Sequence, residues 1–449
     1  MILFERFVMP KYCSQLNIMR FCVFSQCIFF IVLAWYSQLN TQFSPYIWVT
    51  LSTLSFIALG LNSILLLYNG TLMCSKEIIG WTCVLILIGF FSQPFLEDDF
   101  YRYLWDGYRF YETGNPYGLA PIASMQDTSI DQLFMAILHQ VNYPELKTIY
   151  GPVLEYIFLL NHLISPGSLI GLKLIYAIAH IALVIFLCRR YKSYAIILFA
   201  WNPLLLKEVF FNVHPDIIPA ILSFISLWAL INRYPKSSAV ALALAISAKI
   251  YVIILIPYFL LLTKPKYWLI LMLVLMCIYL PFLIGTQGEF SSLIVFANNW
   301  QFNSFLYQPI ANSIDSTTTK YILIVLLGIF YLIYLMYFLK QRQSRLWEVT
   351  DKEIMPRADW LILALLLVSP VVNAWYVIWL LPFCVVYPSL WGFGVGLLMS
   401  LSYLTGISLG YPEIQDYELL PWVQIVEYGG LIALMGLSVT IRFRSKCLL

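Results

Sequence analysis

The chain has 449 residues, 61% of them hydrophobic, 17% aromatic and 11% charged, where soluble domains carry about 25% charged residues. That balance excludes an ordinary soluble enzyme, and a formal net charge of +3 gives no ground for a nucleic-acid partner. Apolar runs near span length recur from end to end. The composition therefore defines an all-α polytopic membrane protein, read as one membrane-embedded domain over residues 1–449 with the lipid bilayer as its solvent.

In chain order the apolar segments cover residues 20–36, 46–68, 78–95, 169–188, 194–211, 216–231, 267–284, 320–339, 358–372, 376–389, 391–409 and 421–441. The first lacks a small-residue cleavage site and is expected to stay as a span. The nine cysteines show neither zinc-ligand spacing nor a disulfide framework. Orientation follows from the basic residues, because short loops rich in Lys and Arg remain in the cytoplasm. With the N-terminus inside, Arg6, Lys11 and Arg20, then Lys76, the Arg189-Arg190-Lys192 cluster, Arg233 and Lys236, Lys264 and Lys266, the group Lys340, Arg342, Arg345, Lys352 and Arg357, and finally Arg442, Arg444 and Lys446 share one side. That side holds most of the 26 Lys and Arg residues, and both termini are expected in the cytoplasm.

Two segments do not fit as single crossings. Residues 150–164 have an apolar core of about 13 residues, roughly 20 Å of helix against a ~30 Å hydrocarbon core, and predict a juxtamembrane or re-entrant helix. Residues 239–262 are interrupted by Ser247 and Lys249. A hairpin of two half-helices with Lys249 near its tip keeps the basic loops on one side. Broken backbone at membrane depth survives only where it lines protein or a water-filled cavity, so the hairpin also points to a site. The expected total is about 12–14 transmembrane helices.

Residues 96–152 then form a large first extracytoplasmic loop carrying juxtamembrane helices. Its acids (Glu97, Asp98, Asp99, Asp106, Glu112, Asp127, Asp131 and Glu145) outnumber its bases (Arg102, Arg109 and Lys147). Residues 100–113 predict a helix that stops at the Gly-Asn-Pro of 114–116. Asp99, Arg102, Asp106 and Arg109 make one polar stripe, suited to a helix lying on the membrane surface. Ion pairs at i,i+4 account for Arg109 and Asp106. They do not account for Glu97, Asp98 and Asp99 side by side, because adjacent carboxylates repel at a low-dielectric boundary. One of them with a raised pKa would be available as a base.

The stretches EDDFYRYLWDG (97–107), GNPYGLAP (114–121) and YPELKTIYGP (143–152) resemble the first extracytoplasmic loop of the GT-C superfamily of integral-membrane glycosyltransferases. Within it they are most similar to the bacterial polyprenol-phosphate-mannose-dependent mannosyltransferases. WNPLLLKEVFFNVHPD (201–216), FANNWQFNSFLYQPI (296–310) and SPVVNAWYVIWLLPF (369–383) are similar to later segments of that group, in the same order. One departure stands out: where relatives often read His-Asn-Asp, this chain reads His214-Pro215-Asp216.

The resemblance implies a multi-pass protein of a bacterial inner membrane with its active site, loop 96–152, on the extracytoplasmic side. It would move a hexose, mannose by family weight, from a polyprenyl-phosphate donor to a glycan or glycolipid acceptor. Such a donor already has a good leaving group. The chemistry therefore needs one carboxylate to take the acceptor proton and cations to hold the departing phosphate, and a single displacement inverts the anomeric centre. Asp98 and Asp99 are the candidate bases, with nothing in the sequence to separate them. No cofactor is assigned with certainty, and a divalent metal on the second acid stays open.

Candidate substrate-binding residues are Arg102, one turn from both acids, and Lys249, since an intramembrane lysine usually faces a cavity. His214 and Asp216 at an outer span end join them, although Asp216 also reads as a helix N-cap. Lys207 with Glu208 reads as an ion pair near the outer end of its span. Tyr117, Trp375 and Tyr376 are aromatics for stacking a sugar or clamping the lipid, against the plain alternative of an interfacial belt. Two other classes compete. A lipid-linked polysaccharide polymerase or ligase would place arginines in other outer loops, whereas residues 285–319 hold Glu289 and Asp315 but no arginine. A flippase or transporter of lipid-linked sugars would line a mid-membrane path with charge.

Overall fold

In a bilayer the backbone must satisfy its own hydrogen bonds, so long apolar runs become helices. The computed structural model describes residues 2–39, 43–69, 73–283, 290–345, 355–411 and 413–447. Glu289 of the outer loop lies outside the described residues. Among the described residues extended pairing is limited to two isolated bridges, Phe302 with Val371 and Thr405 with Leu419. Seven helices among the described residues are long and apolar enough to cross a membrane: Gln15–Leu39, Pro45–Leu67, Ile170–Cys188, Ser193–Phe211, Pro265–Phe282, Ser316–Gln343 and Pro421–Thr440. Only 11% of the most apolar stretch of Pro265–Phe282 and of Ser316–Gln343 is buried within the protein. Lipid is what covers faces of that kind. The chain is a multi-pass α-helical membrane protein.

Six further apolar helices are shorter: Pro152–Ile164, Ile217–Ile231, Pro235–Ala248, Ile250–Leu262, Ala358–Val368 and Leu390–Tyr403. The first matches the short helix expected over 150–164. At 13 residues it is about 20 Å long. The interruption expected near Ser247 is also present. The Pro235–Ala248 helix ends at Lys249, whose backbone is extended (φ −145°, ψ 131°). A 3₁₀ turn, Ile250–Leu255, leads into the Ile256–Leu262 helix.

Residues 194–211 are not one smooth helix either. Ser193–Ala200 ends at Trp201, the Asn202 side chain accepts from Leu204 N and Leu205 N to start a new turn, and Lys207–Phe211 widens into a π turn. This stretch is 94% buried, which is where irregular backbone is tolerated at membrane depth.

The chain divides into two compact units, each discontinuous in sequence. Residues 1–97, 173–214 and 373–449 form one; residues 98–172 and 215–372 form the other. The first is organised around Trp201, which is fully buried. Its indole N–H donates to Thr82 Oγ1 (3.0 Å), and its carbonyl accepts from Gln26 Nε2 (2.7 Å). Lys173 is buried in the same unit and closes the C-terminal end of the Ser75–Phe90 helix. Its Nζ donates to the carbonyls of Gly89 (2.9 Å) and Ser92 (2.7 Å), groups a helix end leaves without intrahelical partners.

In the second unit two glycines permit close backbone approach. A Cβ on Gly107 would lie 2.4 Å from Phe158 O, so glycine lets the Phe100–Thr113 and Pro152–Ile164 helices touch. A Cβ on Gly151 would lie 2.2 Å from Ser247 O. Gly151 thus seats the start of Pro152–Ile164 on the end of Pro235–Ala248, one residue before Lys249.

Candidate active site

The Phe100–Thr113 helix has the bounds expected from its sequence, and it closes on Gly114 in the left-handed region (φ 69°), a conformation that glycine adopts without steric cost. Asp99 occupies its N-cap position, yet the side chain makes no capping hydrogen bond. Asp98 precedes it and accepts from Asn142 Nδ2. Arg102 turns to Asp106 instead of the acid pair. Its Nε lies 3.1 Å from both Asp106 oxygens, and its Nη2 donates to Leu146 O at 2.8 Å. Asp106 is buried, so this part of the stripe is a buried clamp between helix and loop, not a row of exposed surface pairs.

Gly151 brings the 143–152 loop against the break at Lys249. The Lys249 ammonium lies 2.6 Å from Asp216 Oδ1 and 6.0 Å from the centre of the Tyr150 ring. Asp216 does stand at the N-cap position of Ile217–Ile231, but its side chain makes no cap bond there. It is committed to Lys249 instead. The Asp216 side chain is fully buried, while that of Lys249 keeps 19% exposure. A lysine drawn out of water is stabilised by this partner, and its side chain stays partly exposed.

These charges act on Asp99. Burial, and then the neighbouring Asp98, push its carboxyl up to about 7; Asp216 also raises it, while Lys249 and Arg102 pull it down. A carboxylate that titrates near neutrality is suited to exchange a proton in either direction. Asp98 is surface-exposed, and its raised pKa comes first from the packing around it, opposed by the Asn142 hydrogen bond. The two acids, inseparable by sequence, thus differ in setting. Asp98 is tethered, and Asp99 carries the stronger perturbation. Asn142 and Gly151 escaped the sequence reading; the Tyr-Gly-Pro at 150–152 was the available signal for the second.

Tyr117 is fully buried, packs on Phe110 and Phe282, and donates its hydroxyl to Tyr150 O at 2.8 Å. It braces the loop that carries Tyr150 and presents no face to the surface. Asp98, Asp99, Arg102, Asp216, Lys249 and Tyr117 all fall in the second unit. His214, Trp375 and Tyr376 fall in the first.

There the His214 and Trp375 rings stack at 4.0 Å, both residues being buried, and Tyr376 stacks on Trp379 at 4.3 Å. His214 Nε2 lies 3.4 Å from Glu208 Oε2. Lys207 and Glu208 form the ion pair that their sequence suggested, at 2.8 Å and fully buried. Glu208 also accepts from Asn212 Nδ2 (3.2 Å) and from the Tyr403 hydroxyl. The Lys207 ammonium sits 3.5 Å from the centre of the Tyr403 ring, with Phe95 and Trp48 at 5.3 and 5.5 Å. Among the described residues no group of three or more His, Cys, Asp or Glu is arranged to hold a metal ion.

Compared with protein-family models, with characterised proteins and with solved structures, the chain matches none.

Proposed function

We propose that the chain is a membrane glycosyltransferase of the GT-C type, moving a hexose, mannose in the first instance, from a polyprenyl-phosphate donor to a glycan or glycolipid acceptor. The observation that carries this reading is Asp99, a carboxylate poised near neutrality beside the Lys249–Asp216 pair at a break in a membrane helix. In this reading Asp99 takes the proton of the acceptor hydroxyl as that oxygen bonds to the anomeric carbon. The bond from the anomeric carbon to the phosphate oxygen breaks, and its electron pair leaves with the polyprenyl phosphate. Lys249 faces the departing charge, where a preplaced cation acts most strongly in a low dielectric.

The same proposal carries the finer topology: about 12–14 crossings when the short helices are counted, loop 96–152 outside, both termini inside, in a bacterial inner membrane. The buried charges of the first unit weigh against a transport path. Lys173 is held by helix-end carbonyls and Lys207 by Glu208, so each is consumed by the fold.

The test is transfer by membranes containing the wild-type chain, offered synthetic polyprenyl-phosphate mannose, polyprenyl-phosphate glucose or a nucleotide sugar. The proposal expects product from one of the lipid-linked donors and weaker donor saturation in Lys249→Ala. Transfer from the nucleotide sugar alone would overturn it.

A further inference from the structure

We propose that the cavity at the C-terminal end of the Ile170–Cys188 helix binds a phosphate group, carried by a lipid headgroup or as the free ion. This inference stands apart from the glycosyl-transfer reading, since its residues share nothing with Asp99 or Lys249. The cavity measures about 510 Å³ and lies between the turn Cys188–Ala195 and the wall formed by Val385, Val386 and Pro388. Arg189, Arg190 and Lys192, three cations within four positions, line it together with Tyr191 and Tyr194.

Like charges this close repel one another. Some cations of the chain have a carboxylate partner: Arg20 pairs with Glu77, and Arg357 with Asp359. Among the described residues no carboxylate pairs with Arg189 or Lys192. The Arg190 guanidinium lies 4.1 Å from the centre of the Phe186 ring, which keeps that cation against the span end. Lys192 is also the N-cap of the Ser193–Ala200 helix, with no side-chain cap. The first N–H groups of that helix therefore add donors beside the three cations.

Arg, Lys, Tyr hydroxyl and helix N–H together make the donor set that phosphate oxygens require. The apolar wall opposite suits the glycerol and first acyl carbons of a phospholipid. A topology signal alone would explain the charges, but it needs no concave wall. Basic clusters at this kind of location, on the side the charge distribution assigns to the cytoplasm, attract anionic lipid.

The experiment uses the full chain purified in detergent and two variants. Val386→Trp fills the wall and leaves every charge in place; Arg190→Gln removes one exposed charge while two neighbours keep the topology. Retention of labelled phosphatidylglycerol and of labelled phosphatidylcholine is measured after gel filtration, and the melting temperature is followed with added inorganic phosphate. Phosphatidylglycerol held in preference to phosphatidylcholine, with roughly fivefold weaker retention in Arg190→Gln and loss in Val386→Trp, supports the site with lipid as the source. No lipid preference, but a phosphate-dependent rise in melting temperature that both variants lose, supports it with the free ion as the source. Wild type and both variants behaving alike in both measurements overturns the proposal.

Discussion

At the scale of single residues, Asp98 and Asp99 are adjacent and chemically identical, and their surroundings set them apart. Asp98 is exposed and tied to Asn142, whereas Asp99 lies among opposing charges, with Asp98 and Asp216 raising its pKa and Lys249 and Arg102 lowering it. A base works only when ionised, so transfer should rise with pH through about 7 and level off above it. Removing the repelling neighbour in Asp98→Asn should move that inflection down, and removing the attracting cation in Lys249→Ala should move it up. A profile of kcat/KM against pH checks both signs. Identical inflections in all three proteins would mean that Asp99 is not the titrating group.

Sequence took the residue scale part of the way. It singled out Asp98, Asp99, Lys249 and Asp216, because charge at the edge of an apolar segment is costly and has to be explained. It could not pair Lys249 with Asp216, residues 33 positions apart, because that contact depends on how two helices pack. For the same reason Tyr117 read as an interfacial aromatic, although its hydroxyl and ring are both spent inside the fold.

At the scale of elements, local signals fared better. The Phe100–Thr113 helix and its glycine stop were legible because they depend on residues next to one another. The break at Lys249 was legible because Ser and Lys interrupt an otherwise apolar run. Close approach was only half legible: the Tyr-Gly-Pro at 150–152 marks a turn, but it does not reveal that the missing side chain of Gly151 makes room for Ser247 O. Gly151→Ala should cost about 1–3 kcal/mol through overpacking and, by shifting the Lys249 break, should lower transfer as well. Melting temperature and activity measured together test this; an unchanged melting temperature with full activity would refute it. Lys173→Met should cost about 1–3 kcal/mol by stripping the Ser75–Phe90 carbonyls of their donor. It should lower the melting temperature without moving the pH inflection, because Lys173 lies outside the proposed chemistry.

At the scale of the whole molecule, the all-α, multi-pass architecture was legible from composition and period alone, because the bilayer permits so few backbone solutions. The number of crossings was not. Among the described residues seven helices meet the length of a span outright, and six apolar helices fall short of it. A hydropathy pattern does not say which short helices pair up to cross. The charge distribution predicts that a cysteine at exposed Thr128 is labelled by an impermeant maleimide in intact cells, and one at Lys192 only after permeabilisation. The reverse pattern would place loop 96–152 inside and remove it from any extracytoplasmic acceptor.

The most direct measurement is the rate of sugar transfer by Asp99→Asn against Asp98→Asn, at matched protein level and with the lipid-linked donor the wild type uses. Losing a general base slows a reaction by roughly a hundredfold to ten-thousandfold. That loss is expected in Asp99→Asn, with Asp98→Asn retaining most of its activity at a pH above its inflection. Equal and near-complete activity in both variants would contradict the account, because no other carboxylate in it is assigned the acceptor proton.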